Sequence, residues 1–478
     1  MQFHQLHRDR LLGNLSRREL FSRVGAGAGA LALSVLLADE ARAEAAGNGP
    51  RDLLLRSPHY AGRAKRVIYL FQNGGPSHVD LFDPKPALKQ HNGEKPGKDF
   101  VNDVDAKKTG AWLASPFEFR RHGESGMELS ELLPGLAEHA DEIAVIRSMV
   151  SEHENHEQAC GHMHTGSPVA GRPTMGAWIT YGLGTENQNL PAYVAILNPA
   201  GLPVDGARNW SSGWMPPVYQ GMPVRATETS PVLNLEPRTP LAAADARLRF
   251  LQTLNREHAR LRPDNLELEA RISNFELAAR MQLAATDALD CSKEPESARR
   301  LYGLDRPETA VYGRELLLAR RLVERGVRFV QVMMTGQPWD THSNNTGGLR
   351  TVCGATDRPV AALLKDLAAR GLLEETLVVW TGEFGRTPFA EGKDGRDHHK
   401  RAFSTWIAGG GVRGGVTVGA TDDFGYASVT DIVQVADLHA TLLHLLGLDF
   451  RRLTFHHETR DQRLTDVHEA RLVKQVLA

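Results

Sequence analysis

Asp397, His398 and His399 stand side by side in the stretch TGEFGRTPFAEGKDGRDHHKRAFS, residues 381–404, which also carries Glu383 and Arg386. A second carboxylate and imidazole pair, Asp340 and His342, lies in WDTHSNN. A third cluster, NGGPSHVDLFDPKP, offers Asn73, His78 and Asp80, and a fourth, SEHENHEQACGHMHTG, offers His153, His156, His162 and His164. Carboxylate oxygen and imidazole nitrogen in one site are donors that zinc, manganese and iron(II) accept. Each cluster alone has a plainer explanation. An Asp-x-His step caps turns, Glu383 has Arg386 nearby as an ion-pair partner, and histidine-rich stretches are often solvated loops. Other chemistries are excluded by spacing. HEN and HMH lack the HExxH pattern of zinc proteases, GGPS and GGGVRGG lack the lysine of a phosphate loop, and no G-x-S-x-G elbow occurs.

The elements around these clusters tell against the plain explanations. Apolar, β-branched runs predict strands at 66–72, 142–149, 190–197, 327–334, 376–382 and 402–409. Amphipathic helices are expected around YGRELLLARRLVERG, RPVAALLKDLAARG and VADLHATLLHLLG. Apolar strands without polar alternation, separated by helices, predict an α/β fold whose parallel sheet is covered on both faces. Sites in such sheets form beyond the carboxyl ends of the strands, where these clusters fall. The segment 241–290 reads as two helices broken at Pro263, an excursion that shapes or lids the pocket.

Bulk properties narrow the function. The chain has 478 residues, with 56 Lys plus Arg against 58 Asp plus Glu and no dense basic run, so nucleic acid is excluded as a partner. Cys160, Cys291 and Cys353 form neither a CxxC pair nor a disulfide framework; Cys160, among histidines, reads equally as ligand, free thiol or packing. Residues 16–43, SRRELFSRVGAGAGALALSVLLADEARA, have the paired arginines, short apolar run and A-R-A end of a twin-arginine export signal. The run is too short and glycine-rich to span a membrane. The expected organisation is a signal at 1–43 and one domain at 44–478 that works in the periplasm or at the cell surface, without a membrane span once the signal is removed.

NGGPSHVDLFDPKP, HENHEQACGHMHTGSPVAGRPTMGAWITYGLG, DTHSNN, TGEFGRTP, GRDHH and the RLTDVH tail, with the export signal, resemble the family catalogued as domain of unknown function 1501. That family is similar to the alkaline phosphatase and sulfatase superfamily. The resemblance covers nearly the whole mature chain and implies an alkaline-phosphatase-like three-layer αβα sandwich with a large, mainly parallel sheet and metals at the strand ends. Carried over position by position, it sets Asn73 where the superfamily has a ligand Asp. His156 stands in the place of the nucleophile, and Glu383-Phe384 in the place of an Asp-His pair. Asp340, His342 and one of His398 or His399 remain as one metal site, with Asp397, His78, Asp80 and His153 as further ligand candidates. The cofactor implied is a divalent metal: zinc first, then manganese, iron or calcium. His156 is a nucleophile, a ligand or a general acid or base beside a metal-activated water, with Glu383 in the catalytic group. Arg172 and Arg386 are the candidates to neutralise an anionic ester. Two readings follow. One is a metal-dependent hydrolase of phosphate or sulfate esters, acting on an anionic ester such as a sulfated or phosphorylated glycan. The other is a degenerate member that binds metal, anionic glycan or exported protein partners without turnover.

Overall fold

Every apolar run expected to be a strand pairs into a single sheet, within a few residues of its expected ends. The computed structural model describes residues 53–97, 100, 109–226, 241–262 and 265–478. The expected export signal and the break at Pro263 lie outside these residues. The main-sheet strands are β1 (Arg66–Phe71), β2 (Ile143–Val150), β3 (Tyr193–Leu197), β4 (Met222–Arg225), β5 (Phe329–Met333), β6 (Thr376–Thr381), β7 (Phe403–Ala408), β8 (Val416–Val418) and β9 (Val433–Gln434). Their order is β8-β2-β7-β6-β1-β5-β3-β4, with β9 also paired to β2. Only β7 runs against its neighbours, β2 and β6; every other pairing is parallel.

The helices that matter below are α1 (His156–Thr165), α2 (Met175–Leu183), α3 (Leu241–Arg260), α4 (Leu266–Leu289), α5 (Pro307–Glu324), α6 (Asn345–Ala369) and α7 (Val435–Leu445). Side chains alternate along a strand, so each strand feeds both faces of the sheet. Ile68 and Leu70 of β1 join Val330, Val332, Val378 and Trp380 in one apolar cluster with Leu316 of α5 and Leu363 of α6. Burying each such aliphatic side chain stabilises the fold by about 1.5–3 kcal/mol. On the other face, the Phe71 ring lies 4.3 Å from the His164 ring of α1, and α2 sets Gly176 against Tyr193 and Phe329. His439 of α7 donates from Nε2 to the Met163 carbonyl at 2.9 Å, fastening α7 to α1. The result is the three-layer α/β sandwich with a mainly parallel sheet.

Residues 51–454 with 463–478 form the larger of two units and hold all these features, while residues 455–462, in the smaller unit, pair as an antiparallel hairpin. No helix among the described residues is long and apolar enough to cross a membrane.

Three local features differ from expectation. The histidine-rich segment after β2 is helical: the Asn155 side chain accepts from Glu157 N at 3.3 Å to cap α1, and Gly166, at φ 73°, ends it. α6 begins at Asn345, well before the expected start near Arg358, because Pro359 lies inside the helix instead of at its entrance. The strands β4, β8 and β9 have four, three and two residues, too few to show a period.

Candidate metal centre

Two strand ends, a two-residue ladder and one helix start deliver the site. β5 ends at Met333 and the chain turns through Asp340 and His342 before α6; β6 ends at Thr381 and leads to Glu383 and Phe384. A two-residue antiparallel ladder then pairs Arg386 with His398 and Gly385 with His399, and α1 begins at His156. Two glycines let these loops close. A Cβ on Gly74 would come within 2.6 Å of Asp340 N, and one on Gly395 would come within 1.8 Å of the His342 carbonyl oxygen. Any side chain at either position would push a candidate ligand away.

The donor atoms converge. His342 Nε2 lies 2.9 Å from His398 Nε2 and 3.0 Å from Asp340 Oδ1, and His398 Nε2 lies 3.2 Å from the same oxygen. His156 Nε2 approaches the other Asp340 oxygen at 3.5 Å. The far side of each ring meets an acceptor. His156 Nδ1 donates to Glu383 Oε1 at 2.7 Å, His398 Nδ1 donates to the Glu154 carbonyl at 2.7 Å, and His342 Nδ1 donates to Glu391 Oε2. An acceptor at Nδ1 requires the proton there, so each neutral ring presents a lone pair at Nε2. This outer support is the arrangement that orients metal-binding imidazoles.

The residues present fit a divalent cation. His156, Asp340 and His398 place donor atoms within 4.8 Å of one another, His342 Nε2 sits against the same Asp340 and His398, and several buried polar atoms beside them lack hydrogen-bond partners: Asn73 Oδ1 and Nδ2, Glu383 Oε2 and His156 Nε2. Orphaned buried groups of this kind are costly, and a cation with its water satisfies them. The charges respond to one another. Burial would raise the Asp340 carboxyl, but the His156, His342 and His398 rings, which donate to it only when protonated at Nε2, and the Arg386 charge hold it far below the usual carboxylate range. Burial would lower His156, yet its bonds to Asp340 and Glu383 raise it; His342 is raised first by Asp340. His398 is lowered, by burial first and by the positive charges of Arg386 and His156.

A family model described as a protein of unknown function, DUF1501, matches residues 64–477. The chain belongs to the DUF1501 family. No curated protein matches it. Among solved structures, it is similar to the lipoteichoic acid synthase LtaP from Listeria monocytogenes at 8% identity and TM-score 0.38, covering 88% of this chain and 80% of that one. It is similar to the PsFucS1 sulfatase from Pseudoalteromonas sp. at 12% identity and TM-score 0.36, covering 85% and 72%. A protein in the alkaline phosphatase superfamily from Vibrio parahaemolyticus matches at 11% identity and TM-score 0.36, covering 83% and 69%.

Several residues expected at the DUF1501 centre lie elsewhere, each for a local reason. His399 follows His398 on the ladder and points to the opposite face, where its Nε2 donates to the Tyr426 carbonyl. Asp80 is buried in a two-bond ion pair with Arg396, at 2.7 and 3.1 Å, and also accepts from Ser77 and Asn345. His78 donates from Nε2 to the Gly425 carbonyl at 2.8 Å. Arg172 pairs with Asp466 at 3.0 Å and lines a cavity of about 540 Å³ with Gln158, Asp205 and Arg208 on the flank of α1. His153 is half-buried and belongs to none of the ligand groups.

Arg386 stays at the centre but is not available to an ester. It donates to the Gly75 and Arg396 carbonyls at 3.0 Å each, and to the Gly74 carbonyl and Asp340. Its ion-pair partner is Asp340 and not Glu383. Asp397 approaches His342 Nδ1 at 3.7 Å and forms with His342 and His398 a second group of donor atoms within 4.8 Å of one another. Cys160 is a buried free thiol raised well above its usual range by burial, which makes it packing. Glu391, which holds His342, was not foreseen; it lies in a loop whose sequence, FAEGKDG, has no marker of a site.

Proposed function

We propose that this DUF1501 protein is an exported, metal-dependent hydrolase of phosphate or sulfate esters, with an anionic ester carried on a glycan as its substrate class. One observation carries the reading: the Nε2 atoms of His156, His342 and His398 gather around the Asp340 carboxylate at the strand ends, each ring held from behind. The histidine-rich donor set favours zinc, manganese or iron(II) over calcium, which prefers oxygen. Bound there, such a cation supplies Lewis acidity toward an ester oxygen and brings the pKa of water to about 7.

The chain's own groups divide the remaining work. His156, with Nδ1 committed to Glu383 and Nε2 turned to Asp340, serves as a ligand and not as a nucleophile, so water is the attacking group. Arg386 fixes Asp340 and adds a buried positive charge that favours an anion nearby. Phe384, with its ring 4.9 Å from His156 and 4.7 Å from His398, shields one side from water. The His342 side chain, 37% exposed, marks the side from which an ester approaches.

A second reading has its own support. Four protein donors with no vacant position are typical of a structural zinc site, and Phe384 stands where the resembled superfamily places a ligand. Metal content and hydrolysis of p-nitrophenyl phosphate and sulfate separate the two. The full chain should retain a stoichiometric divalent ion and turn over one of these esters, and His398→Ala should lose one ion per chain together with turnover. An ion bound at this centre without turnover of any ester would favour the degenerate reading, and an unchanged ion count in His398→Ala would end both.

A further inference from the structure

Outside the centre, α1 carries a second set of donors. His162 lies on a different face of the helix from His156, and 3% of it is exposed. Its Nε2 is 3.9 Å from Glu152 Oε1, in the segment after β2, and that same oxygen is 3.4 Å from Nε2 of His468 in the C-terminal tail. The three donor atoms lie within 4.8 Å of one another. The 3.9 Å gap is too long for a hydrogen bond. Donors bound tetrahedrally to one zinc, at about 2.0–2.1 Å each, stand about 3.3 Å apart, so the cluster needs to contract by at most about 1.5 Å.

The burial of His162 supports a ligand. The buried ring turns Nε2 toward the two other donors, while its Nδ1, which has no hydrogen-bond partner, lies on the other edge of the ring. A cation at Nε2 would give this buried ring a partner on that edge, which Glu152 at 3.9 Å is too far away to be. Glu152 and His468 are instead substantially exposed, 40% and 32% by side chain, which leaves an entry path for an ion and an open coordination position.

We propose that Glu152, His162 and His468 form a second divalent-cation site of the zinc type, which clamps the C-terminal tail to the segment after β2 and to α1. The clamp acts on the helix whose first residue is His156, and the adjacent Arg172 to Asp466 ion pair at 3.0 Å fastens the same tail. This inference stands on its own residues and does not depend on the hydrolase reading.

The test uses the full chain carrying His342→Ala and His398→Ala, which removes donors from the first centre. After chelation and dialysis against zinc, this chain should still bind one zinc per molecule, and adding His468→Ala should abolish that binding. Because residue 468 is partly exposed, the substitution leaves the fold intact, which circular dichroism checks. Independently, His468→Cys in the same background, loaded with cobalt(II), should show the intense near-ultraviolet charge-transfer band of a thiolate ligand. Zinc binding unaffected by His468→Ala, no zinc in the parent, or a cobalt complex without that band would each overturn the proposal.

Discussion

At the residue scale, the decisive feature is which ring nitrogen carries the proton. Glu391 and Glu383 each hold one imidazole by Nδ1, so their substitution should weaken a metal without removing a ligand. Glu391→Gln is expected to lower zinc affinity at the centre by roughly 10-fold to 100-fold, and Glu383→Gln by a similar factor. Competition with a chromogenic chelator measures both, and unchanged affinity in the two variants would mean that the outer acceptors do not orient these rings. The sequence shows part of this. Asp340, His342 and the adjacent pair His398 and His399 are visible as donors after strands, but two neighbouring histidines cannot say which one faces the site. The register of His398 opposite Arg386 decides it, and register is set by tertiary pairing. Glu391 had no signal at all, because a lone glutamate in a glycine-rich loop has the composition of any solvated turn.

At the element scale, strand positions were legible because buried strands are continuous apolar runs, whereas strand direction was not. β7 looks like its parallel neighbours in sequence, yet it runs against them, since burial on both faces gives the same pattern in either direction. The role of α1 was hidden for a related reason: as a loop, its histidines share one rim, but as a helix they separate, His156 to the centre, His162 to the tail and His164 against Phe71. Between elements, the connection most open to test is Arg396 with Asp80, both fully buried, which ties the GRDHH loop to the short helix after β1. Arg396 also donates to the carbonyls of Thr387 and Leu113 at 3.0 Å each. Arg396→Met strands a buried carboxylate and should destabilise the fold by about 3–5 kcal/mol, while Asp80→Asn added to it should recover part of the loss. Urea denaturation reads both, and a loss below about 1 kcal/mol in the single variant would mean that the pair does not fasten the loop.

At the scale of the whole molecule, the core on the α5 and α6 side of the sheet contains a fully buried acid that no function claims. Glu315 of α5 is fully buried, and burial pushes its carboxyl up to about 8 despite the opposing pull of the Asn198 amide. The consequence for stability has a definite sign. Below the unfolded carboxyl's pKa of about 4.3, both states hold the proton and Glu315 contributes no pH dependence. Between there and about 8, the unfolded chain releases the proton while the folded chain keeps it, so the folded state loses up to about 1.4 kcal/mol per pH unit. Above about 8 both states are ionised and the loss levels off. Glu315→Gln keeps the shape and removes the titration, so it should be more stable than the parent at pH 7, by roughly 3 kcal/mol, and match it near pH 4. Because carboxylates such as Asp80 and Asp340 titrate the other way, the comparison is the difference between parent and variant across pH, in which their contributions cancel. A difference that stays flat from pH 4 to 8 would show that Glu315 ionises freely in the fold, and that the polar groups beneath the strand ends solvate it.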